Sequence, residues 1–367
     1  MNDRLIFGDG SIFEGMSVGA ACSAAGEVVF TTGMVGYPES LTDPSYKGQI
    51  LIFTYPLIGN YGVPRKEFWE SDRIHVSGVI VSSYIENNTH PASIQTLRDW
   101  LIAEKIPALE IKDTRALTQK LREQGAMPGK MIIGEDINWH DPNAHNVVAD
   151  VSVKEIKKFK IQSASWRTKF QKNSKFQTLN SKFRIVLIDC GVKQNIIRSL
   201  VNRGADVTIV PWDFDVLSLN ERFDGVVISN GPGDPKMVTR TVANVRKLLA
   251  RGIPTLGICL GNQILTLAAG GDTYKLKFGH RSQNQPVSCS THAGRHFLTT
   301  QNHGFSVNKI PKGFTEWFTN TNDGTNEGLL HKTKPFMSVQ FHPEATPGPT
   351  DTNWIFDEFL SHITHNT

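Results

Sequence analysis

The sequence predicts an α/β protein with an N-terminal mixed α+β domain followed by a doubly wound, mostly parallel-sheet domain. Strand-like segments dominate the first eighty residues, whereas strand-like and helix-like segments alternate with short connections after residue 183. Such alternation predicts a parallel sheet covered by helices on both faces. A length of 367 residues also fits about two domains. We expect the first domain at 1–150, a basic linker at 151–182 and the second domain at 183–367.

The first domain begins with a predicted hairpin. Segments 5–7 and 12–13 flank Gly8-Asp9-Gly10, whose residues tolerate turn geometry. Further strands are predicted where β-branched and apolar residues are dense, at 27–31, 50–55 and 75–82. Residues 33–46 read as a long loop, which in a compact domain is usually functional or disordered. Its aromatic residues favour order.

Helical periodicity predicts the remaining elements of both domains. In the first domain, helices are expected at 93–104 and at Thr114–Gln124, the latter capped by Asp113 or Thr114. In the second domain, predicted strands lie at 184–189, 206–211, 224–229, 253–256 and 336–341, and predicted helices at 194–201, 241–250 and around 354–360. After Asp272 the segments look like short hairpin pieces.

Composition excludes several classes of protein. The chain is 39% apolar and 20% charged, as in ordinary soluble globular proteins. Its four cysteines lie far apart without a C-x-x-C pair, so we expect neither a disulfide framework nor a zinc site. No secretion signal and no membrane-spanning apolar stretch is apparent. We therefore expect a cytoplasmic protein with no membrane partner and no metal.

The positive charge is concentrated in one segment. Residues 151–184 contain ten Lys or Arg and one acid, Glu155, so the rest of the chain carries a net charge of −5. Phe159, Trp166, Phe170 and Phe176 interleave with these basic residues, a pattern that a nucleic-acid-binding segment would also have. No recognition fold accompanies it, so we favour a solvated linker and expect no nucleic-acid partner.

Cys259 is the first candidate for chemistry. It lies between Gly257 and Gly261, after a strand-like run and before a helix-like run. A nucleophile elbow has this form, and it needs small neighbours because the turn is tight. The positive end of the helix dipole would also favour the thiolate. The motif alone leaves open a buried structural thiol.

A cysteine nucleophile needs a base and a group that orients the base. His342 follows the predicted strand at 336–341, and Pro343 restricts its backbone to extended conformations. Glu344, two residues later, can bind the imidazole and fix its tautomer. A surface histidine in a turn is the alternative. Cys190 is a rival nucleophile, but Ile188 stands where an elbow needs a small residue, so we expect it to be structural.

Two turns and one helical residue supply candidate substrate contacts. The glycines of Ser229-Asn230-Gly231-Pro232-Gly233-Asp234-Pro235 allow backbone N–H groups to approach a ligand closely. The N–H groups of Gly231 and Leu260 are candidate oxyanion donors. The polar turn Gln301-Asn302-His303-Gly304-Phe305 and the carboxamide of Gln263 suit a substrate with amino and carboxylate groups. Each of these is also a common structural feature.

Residues 229–344 resemble the class I glutamine amidotransferases. Four motifs carry this resemblance: S-N-G-P-G-D-P, G-I-C-L-G-N-Q, Q-N-H-G-F and Q-F-H-P-E. The first half adds T-G-M-V-G-Y-P-E-S-L-T-D-P-S-Y-K-G-Q-I-L at 32–51, Y-P-L-I-G-N-Y-G at 55–62 and D-T-R-A-L-T-Q-K-L-R-E-Q-G-A-M at 113–127. These segments resemble the small, glutamine-hydrolysing subunit of carbamoyl-phosphate synthetase. Several of them are most similar in sequence to the amidotransferase region of the eukaryotic fused enzymes.

The resemblance implies a role for each matching residue. Cys259 would be the nucleophile, His342 the general base and acid, and Glu344 its orienting partner. The residues expected to hold glutamine or its oxyanion are Ser45, Gly231, Gly233, Leu260, Gln263, Asn302, Gly304 and Phe305. Asn262 stands where many relatives have histidine, a departure from which we expect a small effect.

The resemblance also implies an activity that is shared with a partner. Ammonia released from L-glutamine would reach a synthetase large subunit or domain, which makes carbamoyl phosphate from ATP and bicarbonate within a heterodimer or higher oligomer. No cofactor is expected on this chain, whereas ATP and Mg are expected on the synthetase partner. The alternatives are a stand-alone γ-glutamyl hydrolase of the same fold and a non-enzymatic regulatory subunit. The sequence leaves the arginine and pyrimidine pathways equally open.

Overall fold

A computed structural model describes residues 3–160 and 182–364. In the first half the strands are β1 (Arg4–Phe7), β2 (Ile12–Glu14), β3 (Met16–Ser17), β4 (Ala24–Thr31), β5 (Gln49–Phe53), β6 (Leu57–Ile58), β7 (Val63–Pro64), β8 (Gly78–Val81), β9 (Ser83–Tyr84), β10 (Ser93–Gln95), β11 (Ala108–Glu110) and β12 (Met127–Ile132). The helices are α1 (Tyr37–Thr42), α2 (Leu97–Ala103), α3 (Thr114–Gln124) and α4 (Val148–Val151).

Eight of these strands form one mixed sheet in the order β2-β1-β12-β4-β5-β8-β11-β3. The central strands β4, β5, β8 and β11 are parallel, and the outer pairings are antiparallel. Successive residues of β5 enter opposite cores, because side chains alternate across a strand. Helix α2 covers one face through Trp100, and α3 covers the other through Leu117 and Leu121. The predicted mixed α+β domain is thus confirmed.

Two predictions for this half need correction. Residues 93–95 form strand β10, paired with β7, and the helix begins only at Leu97. The reason is Thr96, whose side chain accepts a hydrogen bond from the N–H of Asp99 and so caps the helix. The predicted loop at 33–46 is largely helical, with α1 followed by a 3-10 turn at Pro44–Tyr46. Its predicted order is confirmed.

The second half contains β13 (Lys157–Phe159), β14 (Phe183–Asp189), β15 (Ala205–Pro211), β16 (Gly225–Ile228), β17 (Thr255–Ile258), β18 (Asp272–Cys289), β19 (His296–Lys309), β20 (Phe314–Asn320), β21 (Asn326–His331) and β22 (Phe336–Val339). Its helices are α5 (Gln194–Asn202), α6 (Thr239–Ala250), α7 (Leu260–Ala268) and α8 (Ile355–Thr364). All ten strands belong to one sheet, in the order β13-β15-β14-β16-β17-β22-β21-β19-β18-β20.

Five neighbouring strands of this sheet, from β15 to β22, are parallel and carry helices on both faces. Ile185 and Leu187 of β14 pack with α5 and α8, whereas Val186 and Ile188 pack with α6 and α7. The predicted doubly wound arrangement is confirmed. It places the carboxyl ends of β16, β17 and β22 side by side, at the edge where such folds bind ligands.

The region after Asp272 differs from the prediction. Instead of short hairpin pieces it forms two long antiparallel strands of 18 and 14 residues. Register shifts interrupt the pairing of β18 with β19 at several points, which breaks the alternation that predicts a strand. This hairpin packs against the first half of the chain. Phe278 stacks on Phe30 at a ring distance of 6.0 Å, and Lys275 forms a 2.6 Å ion pair with Glu27.

The segment predicted as linker is described only in part. Residues Lys157–Phe159 form β13, which pairs antiparallel with β15 at the edge of the second sheet. Residues 161–181, with most of the predicted basic linker, lie outside the described residues. The proposed domain boundaries therefore stay a prediction.

Within residues 3–160 and 182–364, none of the helices has the length and apolar character needed to span a bilayer.

Candidate active site

Cys259 occupies a strained turn between β17 and α7. Its φ of 54° and ψ of −105° lie outside the regions that L-residues ordinarily adopt. A Cβ atom on Gly257 would lie 2.4 Å from the carbonyl oxygen of Gly261, and one on Gly261 would lie 2.1 Å from that of Ile228. Any side chain at either position would therefore displace backbone. The sequence-based hypothesis of a nucleophile elbow agrees with this geometry.

His342 lies three residues beyond the end of β22, where it bridges to Thr300 and interacts with the cysteine. Its backbone N–H donates to the carbonyl oxygen of Thr300 at 2.9 Å, and its Nδ1 lies 2.7 Å from Oε1 of Glu344. Both side chains are buried. Because a carboxylate only accepts, Nδ1 carries a proton and Nε2 faces the other way.

Electrostatics couples this pair to Cys259. Burial alone would lower the pKa of His342, but the charges of Glu344 and Cys259 raise it to about 10. Burial would raise the pKa of Glu344, but Lys193 and His342 lower it to about 2. Nε2 of His342 has no hydrogen-bond partner within the described residues. The arrangement therefore favours an ionised carboxylate beside a protonated imidazole.

Lys193 and Asn195 hold the turn that carries Glu344, and sequence reasoning missed both. Nζ of Lys193 lies 3.1 Å from Oε1 of Glu344 and donates to the carbonyl oxygen of Ala345 at 2.7 Å. Nδ2 of Asn195 donates to the carbonyl oxygen of Glu344 and, at 2.6 Å, to Oγ1 of Thr346. Lys193 is only 2% exposed. A lysine just before a helix gives no sequence signal for such burial.

A cleft of about 390 Å³, partly open to solvent, lies over the Cys259 turn. All eight predicted glutamine-binding residues line it together with Cys259, namely Ser45, Gly231, Gly233, Leu260, Gln263, Asn302, Gly304 and Phe305. Arg281 also lines the cleft, although no sequence prediction included it, and so does His303, which the sequence analysis named only as part of the polar turn at 301–305. Residues from motifs more than 250 positions apart thus meet at one site.

The cleft is lined by Gly231 and Leu260, whose backbone N–H groups are the predicted oxyanion donors. Leu260 is the first residue of α7, so its N–H has no acceptor within the helix. A Cβ atom on Gly231 would lie 2.0 Å from the carbonyl oxygen of Cys190, so only glycine brings this backbone so close. Cys190 itself is fully buried, which raises the pKa of its thiol. It has the environment of a structural cysteine, as expected.

The first half of the chain contributes one wall of the cleft. Asp43 accepts hydrogen bonds from the N–H of Ser45 and from Nδ2 of Asn302, both at 2.9 Å. Nδ2 of Asn230 donates to Oγ of Ser45 at 3.0 Å. The predicted position of Ser45 at the site, across from the second half, agrees with these contacts.

The carboxamides at the start of α7 point in different directions. Nδ2 of Asn262 donates to Oε1 of Gln340 at 3.0 Å, and Oδ1 of Asn262 accepts from Oγ of Ser338 at 2.7 Å. Asn262 is thus fixed against β22 rather than lining the cleft. Gln263 lines the cleft, and its Nε2 donates to the carbonyl oxygen of Phe305 at 2.8 Å.

Two family models match the chain. Glutamine amidotransferase class-I matches residues 186–362, and the carbamoyl-phosphate synthase small chain, CPSase domain, matches residues 5–131. The arginine-specific carbamoyl phosphate synthase small chain of Neurospora crassa is 45% identical over 372 residues, which are 97% of this chain and 78% of that protein. This chain belongs to the carbamoyl phosphate synthase small-chain family. The two resemblances inferred from the sequence, to the class I glutamine amidotransferases and to the carbamoyl-phosphate synthetase small subunit, are thus confirmed.

Members of the family occur as separate small chains and inside longer proteins. The arginine-specific small chain of Chaetomium globosum is 44% identical over 97% of this chain and 77% of its own length. Multifunctional protein pyr1-3 of Dictyostelium discoideum is 45% identical over 98% of this chain, which spans only 17% of that protein.

Proposed function

We propose that this chain hydrolyses L-glutamine and supplies the ammonia to a synthetase subunit or domain that makes carbamoyl phosphate from ATP and bicarbonate. The observation that carries the proposal is the convergence of the strained Cys259 and eight predicted binding residues on one cleft, with the His342–Glu344 pair interacting with that cysteine. Membership of the small-chain family supports the same activity.

In the first step the Cys259 thiolate attacks the carboxamide carbon of glutamine. The negative charge that develops on the oxygen is stabilised by the backbone N–H groups of Gly231 and Leu260. Both are backbone groups in closely packed turns, since a Cβ atom on Gly231 or Gly261 would collide with neighbouring backbone. Stabilisation by preorganised donors is commonly the largest single contribution to such a rate.

In the second step His342 protonates the departing ammonia, and a glutamyl thioester with Cys259 remains. The raised pKa of His342 is consistent with a protonated ring before this step. His342 then removes a proton from water, which hydrolyses the thioester and releases glutamate. Glu344 keeps the imidazole in the required orientation throughout, through the 2.7 Å contact with Nδ1.

The test is Cys259→Ser assayed together with the synthetase partner. We expect glutamine-dependent synthesis of carbamoyl phosphate to disappear, because a serine hydroxyl is not ionised at this site. Synthesis from added ammonia should persist. Cys190→Ser is the matched control and should retain glutamine-dependent synthesis, since Cys190 is a buried structural thiol.

Two results would contradict the proposal. Loss of both activities in Cys259→Ser would indicate a structural role for the cysteine, and loss of neither would indicate a regulatory subunit. A stand-alone γ-glutamyl hydrolase would hydrolyse its substrate without any partner and would not need the first half of the chain. The contacts of Asp43 and Ser45 with Asn230 and Asn302 weigh against that alternative.

A further inference from the structure

A buried polar cluster adjoins the cleft, which one of its members, His303, also lines, and the proposed mechanism does not use it. It joins His280 of β18, Gln301 and His303 of β19, and Glu327 of β21. Glu327 is fully buried, and the two imidazoles are nearly so. The ligand-type atoms of His280, His303 and Glu327 all lie within 4.8 Å of one another. Buried polar groups of this kind need hydrogen bonds with one another or with a bound ligand.

The distances within the cluster match the edges of a small coordination polyhedron. Nδ1 of His280 lies 2.9 Å from Oε1 of Gln301 and 3.3 Å from Oε1 of Glu327. Nε2 of His303 lies 3.2 Å from the same glutamine oxygen and 3.8 Å from the same glutamate oxygen. Tetrahedral zinc with bonds of about 2.1 Å places its ligand atoms about 3.4 Å apart. The four measured distances scatter around that value.

Both imidazoles are oriented as metal-bound histidines are. The second nitrogen of His280, Nε2, lies 2.8 Å from Oδ2 of Asp323. The second nitrogen of His303, Nδ1, lies 2.9 Å from the carbonyl oxygen of Phe305. Because these oxygens only accept, each fixes a proton on its own nitrogen. Metal-ligating histidines characteristically donate their other N–H to a carboxylate or carbonyl in this way.

The inward-facing atoms are short of donors. Nε2 of His303 faces the side-chain oxygens of Gln301 and Glu327, and because Nδ1 donates to the carbonyl oxygen of Phe305, a neutral ring presents its lone pair to them. Oε2 of Glu327 is buried without a hydrogen-bond partner among the described residues. Two weak donors approach the group among the described residues: Nδ2 of Asn320, at 3.4 Å from both Nδ1 of His280 and Oε1 of Glu327, and Oγ1 of Thr325, at 3.4 Å from Oε1 of Glu327.

We propose that His280, His303, Glu327 and the side-chain oxygen of Gln301 bind one Zn²⁺ ion that ties together strands β18, β19 and β21. Four protein ligands leave no open position, which is typical of a structural site. The cysteine spacing predicts no zinc site, and this one contains no cysteine, so cysteine counting does not detect it. The ion would fix the segment that begins at Gln301 and continues into residues 302–305, which line the cleft above Cys259.

The test begins with the full chain freed of metal by a chelator and then titrated with Zn²⁺ by calorimetry. We expect one ion per chain and a melting temperature that rises with Zn²⁺, because only the folded state contains the site. Co²⁺ used as a substitute should give the intense visible bands of tetrahedral coordination without a thiolate charge-transfer band. That spectrum distinguishes this cluster from binding at Cys259 or Cys289.

Variants locate the ion. Glu327→Gln and, as a second variant should the first fold poorly, His280→Asn should each abolish the rise in melting temperature. Asp323→Asn, which alters the carboxylate that binds Nε2 of His280 without removing a proposed ligand, should weaken binding about 10- to 100-fold. Glu316→Gln, a carboxylate change on neighbouring β20, should bind as the unmodified chain does.

Three results would overturn the proposal. They are no Zn²⁺ binding by the chelator-treated chain, undiminished binding by a folded Glu327→Gln or His280→Asn variant, and a thiolate band in the Co²⁺ spectrum.

Discussion

Lys193 is the side chain on which the charge of Glu344 most depends. It is buried beside that carboxylate, and its positive charge is the first of the influences that lower the pKa of Glu344 against the effect of burial. The charge of Lys193 also interacts at longer range with the carboxylates of Glu70 and Asp43 in the first half of the chain. A single ammonium group therefore balances carboxylates from both halves of the molecule.

Removing this charge should move the pH profile of glutamine hydrolysis. In Lys193→Met the pKa of Glu344 rises, since the main lowering influence is gone, so Glu344 becomes protonated at a higher pH. We expect the acid limb of kcat to shift towards higher pH, which pH-rate profiles would detect. Breaking a buried ion pair also destabilises the fold by about 3–5 kcal/mol.

The control for this variant is Lys309→Met, which removes an exposed lysine. It should leave both the profile and the stability unchanged. An unshifted acid limb in a folded Lys193→Met variant would show that Lys193 supports only the structure.

At the residue scale, the sequence predicts most of the site and misses its supports. Cys259 is recognisable because Gly257 and Gly261 are required by backbone contacts that any side chain would break. His342 and Glu344 are recognisable by spacing. Asp43 and Lys193 are not, because their roles depend on burial and on partners more than 100 positions away. Ordinary charged residues carry no local sign of such contacts.

At the scale of elements, the N-terminus of α5 is the support of the catalytic turn. The backbone N–H of Asn195 donates to Oε2 of Glu70 at 3.0 Å, and Arg198 pairs with the same carboxylate at 3.3 Å. The N–H of Glu70 in turn donates to Oγ1 of Thr42, the last residue of α1. A continuous set of contacts thus connects α1, Glu70, α5 and the Glu344 turn.

Glu70 should make stability depend on pH. Burial raises its pKa to about 7 in the folded protein, despite the opposing charges of Lys193 and Arg198. The folded state therefore binds more protons than the unfolded state between the usual pKa of about 4.3 and about 7. Stability contributed by Glu70 is present below this window and is lost as the pH rises through it.

The check is Glu70→Gln, which is neutral at every pH. Relative to the unmodified chain, its melting temperature should increase between about pH 5 and about pH 8, because only the glutamate loses a proton there. Glu67→Gln, an exposed carboxylate three residues earlier, should show no such trend. A constant difference between the Glu70 variant and the unmodified chain would refute the assignment.

Periodicity predicts the sheet strands and most of the helices, and fails where local capping or bulges intervene. The parallel strands β14, β16 and β17 have mostly apolar and almost wholly buried central residues, as is typical of a sheet covered on both faces. Strand β18 is different, because it alternates buried and exposed residues irregularly around its register shifts. Thr96 moves a helix start because a cap outweighs the apolar periodicity that surrounds it.

At the scale of the whole molecule, the two halves share the cleft rather than merely adjoining it. Glu27, Ser45 and Gln49 of the first half line it alongside residues of the second half. The β18–β19 hairpin adds contacts, including the backbone hydrogen bond from Thr32 to Arg281 and that from Ala126 to Lys277. Glutamine binding should therefore depend on residues of the first half that do not touch the reacting atoms.

Asp43→Ala is the variant that tests this dependence. It removes the acceptor that positions Ser45 and Asn302, so we expect the KM for glutamine to rise about 10- to 100-fold, as for the loss of a hydrogen bond to a charged group. The change in kcat should be smaller, because the Cys259–His342 pair is not contacted by Asp43. Steady-state kinetics with glutamine separates the two constants.

Asp113→Ala is the matched control, since Asp113 also accepts a backbone N–H at the start of a helical segment, α3. It should lower stability slightly and leave the KM for glutamine unchanged. An unchanged KM for glutamine in Asp43→Ala would indicate that the second half of the chain binds glutamine without help from the first half.

The shared wall of the cleft limits how genes for these proteins can recombine. The hydrogen bonds between Asp43 and Asn302 and between Ser45 and Asn230 form only when the two halves place donor and acceptor at hydrogen-bonding distance. An exchange that joins the first half of one relative to the second half of another keeps each fold but alters this fit. Such chimaeras should recover activity only when the segment carrying Asp43 and Ser45 descends from the same parent as the β18–β19 hairpin.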